Sequence, residues 1–289
     1  MPLCLFRTAN AADARLGLLD GDRVVDVAAA DGPSTLADAL AMTAADLRVR
    51  LDGVRANGGA GIPIDEVTFD APIDRQEVWA AGVTYLRSRD ARMEESSEKS
   101  VYDKVYDAER PEIFYKAGRS RVSGPGQEIA IRGDSTWDVP EPELTLVVNR
   151  GGEVVGYTVG NDVSSRSIEG ENPLYLPQAK VYAKCAALGP VLTLAWELAD
   201  IADRAITLTI RRDGQALFEG VSSTSQIHRS FEELVSYLFR HNAFPDGVFL
   251  MTGTGIVPPS EFTLRHGDDV EIQIDGIGAL RNPVIRLDS

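Results

Sequence analysis

Val139-Pro140-Glu141-Pro142-Glu143-Leu144-Thr145-Leu146-Val147-Val148, followed after a short break by Val154-Val155-Gly156-Tyr157-Thr158-Val159-Gly160-Asn161-Asp162, is the stretch on which the fold turns. Both runs alternate as strands do, and between them Arg150-Gly151-Gly152-Glu153 carries central glycines that suit a two-residue primed hairpin turn. That turn sets Glu141 opposite Asp162, and Glu143 shares the face of Glu141 because strand side chains repeat every second residue. The three acids then point the same way, on a face that also carries Thr145, Gly156, Thr158 and Gly160. Leu144, Leu146, Val148, Val155, Tyr157 and Val159 line the opposite face, the expected core side.

Like charges gathered on a face of small residues require a cation. The plainer alternative is a solvated strand edge whose acids never converge. An oxygen-only donor set suits a hard divalent ion, Mg²⁺ with Mn²⁺ or Ca²⁺ as substitutes. Zinc fits poorly, because His228, His241 and His266 all lie far from these acids in sequence. With three ligands, positions stay open for a chelating substrate, and the ion then acts as a Lewis acid. Replacing any one acid is expected to abolish such chemistry with little loss of fold.

At 289 residues the chain can bury a large core, in one domain or two unequal ones. Nothing in it reads as a secretion signal or a bilayer-spanning run, so a soluble cytoplasmic protein is expected. Cys4 and Cys185 have no motif spacing and read as buried thiols. The formal charge of −15, from 44 acidic and 29 basic residues, argues against nucleic acid or an anionic membrane as a partner. Only five basic residues are lysines, Lys99, Lys104, Lys116, Lys180 and Lys184, so each merits attention. An acid-rich, lysine-poor surface fits a salty cytoplasm, though a GC-rich genome also favours arginine. On the halophilic reading, screening of self-repulsion raises the thermal midpoint from low to molar KCl. A midpoint that salt leaves unmoved rejects that reading.

Residues 1–72 read as a small N-terminal domain and 73–289 as a larger one, with Pro72-Ile73-Asp74 as the passage. Leu3 to Arg7 and Arg15 to Val27 are predicted strands, the latter turning at Asp20-Gly21. Two helices follow, one capped by Ser34 and one by Thr43 with Asp46 three residues on; Asn57 to Gly61 ends the second. In the larger unit, charge-dense Thr84 to Arg110 reads as a helical excursion or a lid. Phe231, Leu234, Val235, Leu238 and Phe239 form a core-facing helical stripe, and Asp213-Gly214 marks a further hairpin.

Several ordered motifs carry a resemblance. Pro111-Glu112-Ile113-Phe114-Tyr115-Lys116, Glu141-Pro142-Glu143-Leu144, Asn161-Asp162-Val163-Ser164-Ser165-Arg166, Lys180, Leu188-Gly189-Pro190 and Thr252-Gly253-Thr254 together resemble the fumarylacetoacetate hydrolase superfamily over roughly residues 73 to 289. Arg110-Pro111-Glu112-Ile113-Phe114 and Glu171-Asn172-Pro173-Leu174-Tyr175-Leu176-Pro177-Gln178 are similar to its 2-keto-3-deoxy-pentonate dehydratases. The resemblance implies an α+β, β-rich fold: a mixed β-roll catalytic domain behind a small N-terminal α/β domain. It also implies Mg²⁺ on Glu141, Glu143 and Asp162, and a homodimer or homotetramer. Two departures matter. Family hydrolases carry a catalytic His and Glu three and six residues past a tyrosine, where this chain has Ser88 and Ala91 after Tyr85. Ser167 replaces the Asp that commonly follows the family arginine, which weakens any role for Arg166 at the metal.

The implied reaction is Mg²⁺-dependent dehydration of a small-molecule 2-oxo sugar acid, 2-keto-3-deoxy-D-arabinonate (the same compound as the D-xylonate-derived acid), to 2,5-dioxopentanoate in oxidative pentose degradation. The alternative is another metal-dependent 2-oxo acid hydrolase, decarboxylase or isomerase of that superfamily. Glu112 and Lys180 are the candidate catalytic residues, with the division between acid and base left open. A lysine beside a divalent ion and partly desolvated loses its proton more readily. Lys116, Thr252, Gly253 and Thr254 are the candidate substrate-binding residues.

Overall fold

The structure is a computed structural model describing residues 1–9, 11–95, 105–198 and 200–288. Two sheets dominate it. In the larger, the main path of neighbouring strands runs Ile62–Pro63, Arg23–Asp26, Arg15–Asp20, Leu3–Thr8, Ala186–Leu194, Val154–Asp162, Pro142–Val148, Val248–Met251, Glu77–Gly82 and Glu112–Gly118. It is mixed, because Val248–Met251 lies parallel to Glu77–Gly82 while its other neighbours pair antiparallel. The second sheet orders Gln215–Ser223, Ala205–Arg212, Asp269–Ile274, Gly278–Arg286 and Ile129–Ile131. No helix among the described residues is long and apolar enough to cross a membrane.

The Pro142–Val148 and Val154–Asp162 hairpin sits at the centre of the larger sheet, so both of its faces are buried. Leu144, Leu146, Val148 and Val159 pack with Ile206, Leu208, Val270 and Ile272 of the second sheet. On the other face Val147 and Val155 join Leu3, Leu18, Leu47, Ala80 and Phe249. That second core draws on both sides of residue 72, and Leu3 pairs with Leu192, so the N-terminal strands extend the same sheet. Each of these large apolar side chains contributes about 1.5–3 kcal/mol through its removal from water, which makes the hairpin a rigid mount.

The turn differs from the sequence expectation. It is a three-residue loop: the Gly152 N–H donates to the Asn149 carbonyl and the Asn149 N–H to the Glu153 carbonyl, both at 3.0 Å, and Gly152 has φ +83°. The Asn149 side chain decides this, its Oδ1 accepting from the Gly151 and Glu153 N–H groups at 3.0 and 2.8 Å. Val148 therefore pairs with Val154, one residue out of step. A bulge at Val155 restores the expected register, giving Val147 opposite Gly156 and Glu143 opposite Gly160. The same bulge moves Val155 from the predicted face to the other core.

Elsewhere the first helix is capped by Thr35, not Ser34, because Asp38 lies three residues beyond Thr35 and completes the capping box. Thr43 caps Ala44–Asn57, and Phe231–Leu238 buries Leu234, Val235 and Leu238. Arg212 pairs with Gln215 across Asp213-Gly214. In the charged segment, Leu86–Glu95 is helical and buries Ser88 and Ala91, while residues 96–104, with Lys99 and Lys104, lie outside the described residues. Residues 105–108 are held by the buried Arg229, whose Nη2 donates to the Val105 and Tyr106 carbonyls at 3.2 and 3.3 Å and also to that of Ala108.

Candidate metal centre and pocket

Glu141, Glu143 and Asp162 converge. Each offers a carboxylate oxygen within 4.8 Å of the other two, and all three are buried, at 4, 2 and 1 % exposure. Pro140 and Pro142 flank Glu141 where the strand begins, and the Asp162 N–H donates to the Glu141 carbonyl at 3.0 Å, which fixes the acids across the hairpin. Asn161 adds a tie through its Oδ1, accepting from the Glu141 N–H at 3.2 Å.

Among the described residues three cations answer the acids from other elements. Lys180, last residue of the Leu176–Lys180 helix, donates through Nζ to Glu141 Oε2 at 2.7 Å, Asp162 Oδ2 at 3.1 Å and Ser164 Oγ at 2.6 Å. Arg166 Nη2 stands 2.9 Å from Glu141 Oε1. Lys116 Nζ lies 2.5 Å from Asp162 Oδ1 and also donates to the carbonyls of Val163 and Lys180, at 2.9 and 2.6 Å. Glu143 differs: the hydrogen bond it receives is from the Gly253 N–H, 2.6 Å from Oε2. Burial, then the negative charges of Asp162 and Glu141, hold its carboxyl well above the usual range against the pull of Lys180 and the Gly253 N–H. An all-oxygen set with one member held this far from comfortable ionisation fits a hard divalent cation, which would sit among Glu141, Glu143 and Asp162.

The pocket over the triad is lined by Glu112, Phe114, Lys180, Glu169, Ser88, Gly253 and Thr254 among others. Of the predicted residues, Glu112, Lys180, Gly253 and Thr254 thus join the three acids at one site. Glu112 folds over Gly82, where a Cβ would meet its Oε2 at 2.1 Å. Lys116 and Thr252 are not among the lining residues. Lys116 is fully buried beneath Asp162, on a strand bulged at that point. The Thr252 hydroxyl donates to the Leu144 carbonyl at 2.9 Å, and that of Thr254 to the Ile256 carbonyl at 3.2 Å. Gly253 has φ +91° and no room for a Cβ, which would meet Thr84 Oγ1 at 2.0 Å. In this arrangement the Thr252-Gly253-Thr254 turn serves Glu143 and the strand end, where sequence placed donors for a substrate.

Sequence reasoning set Arg166 aside because Ser167 follows it, and did not single out Ser164 or Glu169. Ser167 is accommodated by other serines: Ser135 Oγ lies 3.0 Å from Ser167 Oγ and accepts from Ser165 Oγ at 2.8 Å. The Arg166 N–H donates to the Trp137 carbonyl at 2.8 Å, which places the backbone of the arginine although serine, not Asp, follows it in sequence. Next to this serine group the buried carboxyl of Asp138 is pushed up to about 6, chiefly by desolvation, with the Ser135 hydroxyl, Arg286 and Arg132 working against it. A raised acid pKa favours the folded state below the unfolded pKa and loses that contribution as pH rises through the folded value. Relative to Asp138→Asn, the parent should therefore lose about 1–3 kcal/mol of stability between pH 4 and pH 7 and then level off. Thermal midpoints of the two proteins at several pH values check this; a constant difference contradicts it.

Residues 77–285 match the family model described as Fumarylacetoacetate (FAA) hydrolase C-terminal. Over 213 residues, 74 % of this chain and 73 % of its relative, the sequence is 55 % identical to the "Probable 2-keto-3-deoxyxylonate dehydratase" of Haloferax volcanii. It is 47 % identical over 225 residues, 76 % of each chain, to the "2-dehydro-3-deoxy-D-arabinonate dehydratase" of Saccharolobus solfataricus. The solved structure of 2-keto-3-deoxy-D-arabinonate dehydratase complexed with magnesium and 2,5-dioxopentanoate overlays this chain with a TM-score of 0.83 at 36 % identity, covering 100 % of both. Shared motifs, strand-rich mixed architecture and full-length overlay lead to one conclusion: the chain belongs to the fumarylacetoacetate hydrolase family.

Proposed function

We propose that this protein is a metal-dependent hydro-lyase that dehydrates 2-keto-3-deoxy-D-arabinonate to 2,5-dioxopentanoate, with Mg²⁺ held by Glu141, Glu143 and Asp162 and with Mn²⁺ or Ca²⁺ as substitutes. The observation that carries the reading is Lys180, a buried proton carrier in hydrogen-bond contact with two of the three acids and in one pocket with Glu112. When bound there, the cation supplies Lewis acidity to the carboxylate and keto oxygens of a 2-oxo acid. Lys180, as the neutral amine that a divalent ion beside it would favour, takes a C3 proton. Glu112, across the pocket over Gly82, protonates the departing C4 hydroxyl. Arg166 and Lys116 stay behind the acids, one on Glu141 and one on Asp162, and keep them aimed. The three acids and Lys180 are buried, which strengthens each of these interactions. A homodimer or homotetramer is part of the same reading.

The runner-up is hydrolysis of an acylpyruvate, and Ser88 and Ala91 disfavour it. Neither side chain can generate hydroxide at neutral pH, so cleavage should run at least about a hundredfold below dehydration. Incubating the Mg²⁺-loaded protein with both substrates, and identifying products by NMR, separates the readings. Fast pyruvate release from the acylpyruvate, with no aldehyde from the keto-deoxy acid, overturns the proposal.

A further inference from the structure

Among the described residues five carboxylates line the pocket: Glu112, Glu141, Glu143, Asp162 and Glu169. The metal centre uses three and the departing C4 hydroxyl one, which leaves Glu169. It is 3 % exposed and is not one of the acids whose oxygens gather within 4.8 Å, so it is not a fourth member of that set. Its helix, Arg166–Glu171, is anchored to the triad: the first residue pairs with Glu141 at 2.9 Å, and Ser165 caps it by accepting from the Ile168 N–H at 3.4 Å. Glu169 is therefore a positioned carboxylate, on a different element from Glu112, facing the same space.

The proposed reaction leaves the removal of a C5 proton without a group. Loss of the C3 proton and the C4 hydroxyl gives 5-hydroxy-2-oxopent-3-enoate, whereas the product carries an aldehyde at C5. Resting on the dehydratase reading, we infer that Glu169 receives the C5 end of the substrate and performs this second transfer. Its carboxylate takes a proton from C5. The released electron pair forms the C4–C5 double bond as the C3–C4 pair moves to C2–C3 and charge reaches the keto oxygen. Returning a proton to C3 restores the ketone and leaves a C5 enol, which becomes the aldehyde by moving its hydroxyl proton to C4. Carbon is oxidised at C5 and reduced at C3 and C4 within one molecule, so no external oxidant enters.

The test is product identity, read early in the reaction by NMR and near-ultraviolet absorbance. Glu169→Gln keeps the size of the side chain and removes the base. It should still consume 2-keto-3-deoxy-D-arabinonate but release the conjugated enoate, with aldehyde per substrate consumed falling more than about tenfold. With 4-hydroxy-2-oxopentanoate, which lacks the C5 hydroxyl, the variant should match the parent within about twofold. Glu169→Asp, which retains a carboxylate, should restore part of the aldehyde yield, and Glu169→Leu, which also removes the base, serves in place of Glu169→Gln if that variant does not fold. Stoichiometric aldehyde from Glu169→Gln, or equal loss on both substrates, overturns the assignment. A parent protein that dehydrates neither substrate overturns the reaction beneath it, and the assignment with it.

Discussion

Glu143→Gln is expected to abolish turnover and Mg²⁺ binding while leaving the metal-free protein as stable as the parent or slightly more so. Its carboxyl is already pushed toward the neutral form by burial and by two neighbouring acids, so an uncharged isostere relieves repulsion and keeps the Gly253 N–H contact. The parent should gain about 2.7 kcal/mol of stability at Mg²⁺ a hundredfold above Kd, and the variant none. Glu141→Ala and Asp162→Ala should also be inactive but much less stable. The first takes a carboxylate partner from Arg166 and Lys180, the second from Lys116 and Lys180, and breaking a buried ion pair costs roughly 3–5 kcal/mol. These expected outcomes narrow to Glu143 the sequence expectation that any one acid can go at little cost to the fold. Thermal midpoints with and without Mg²⁺ check the set; three equal losses contradict it.

Lys180→Met is expected to lower kcat by about two to four orders of magnitude, the range that a positioned proton carrier supplies. Metal affinity should be unchanged or tighter. The methionine fills similar space beside Phe114, whose ring centroid lies 5.5 Å from Nζ, while two ligand acids lose a competing cation. Removal of a merely structural ion pair would weaken folding and binding together and leave kcat per folded molecule near the parent value. Activity normalised to metal-loaded protein separates the two outcomes.

How much was legible follows from what kind of interaction placed each residue. The convergence of Glu141, Glu143 and Asp162 depends on strand parity, which alternation in the sequence displays. The turn was misread because a side chain decided it: Asn149 captures two backbone N–H groups, a contact that competes with the glycine signal. The register at the acids survived only because a bulge at Val155 cancels the extra loop residue. Glu112 and Lys180 stood out through the family motifs and the scarcity of lysine. Lys116 carried the same signals yet lies beneath the site, since strand parity gives the face of a side chain and not its depth. Arg166 and Glu169 depend on how a short helix docks, an arrangement with no periodic trace in a single sequence.

The most direct measurement is the titration of metal-stripped protein with Mg²⁺ while 2,5-dioxopentanoate formed from 2-keto-3-deoxy-D-arabinonate is quantified. A triad that holds one catalytically required ion predicts no aldehyde in EDTA and a saturable rise that reaches its plateau at one bound Mg²⁺ per chain, absent in Glu143→Gln. Undiminished aldehyde formation in EDTA, or an equal rise in Glu143→Gln, would contradict it.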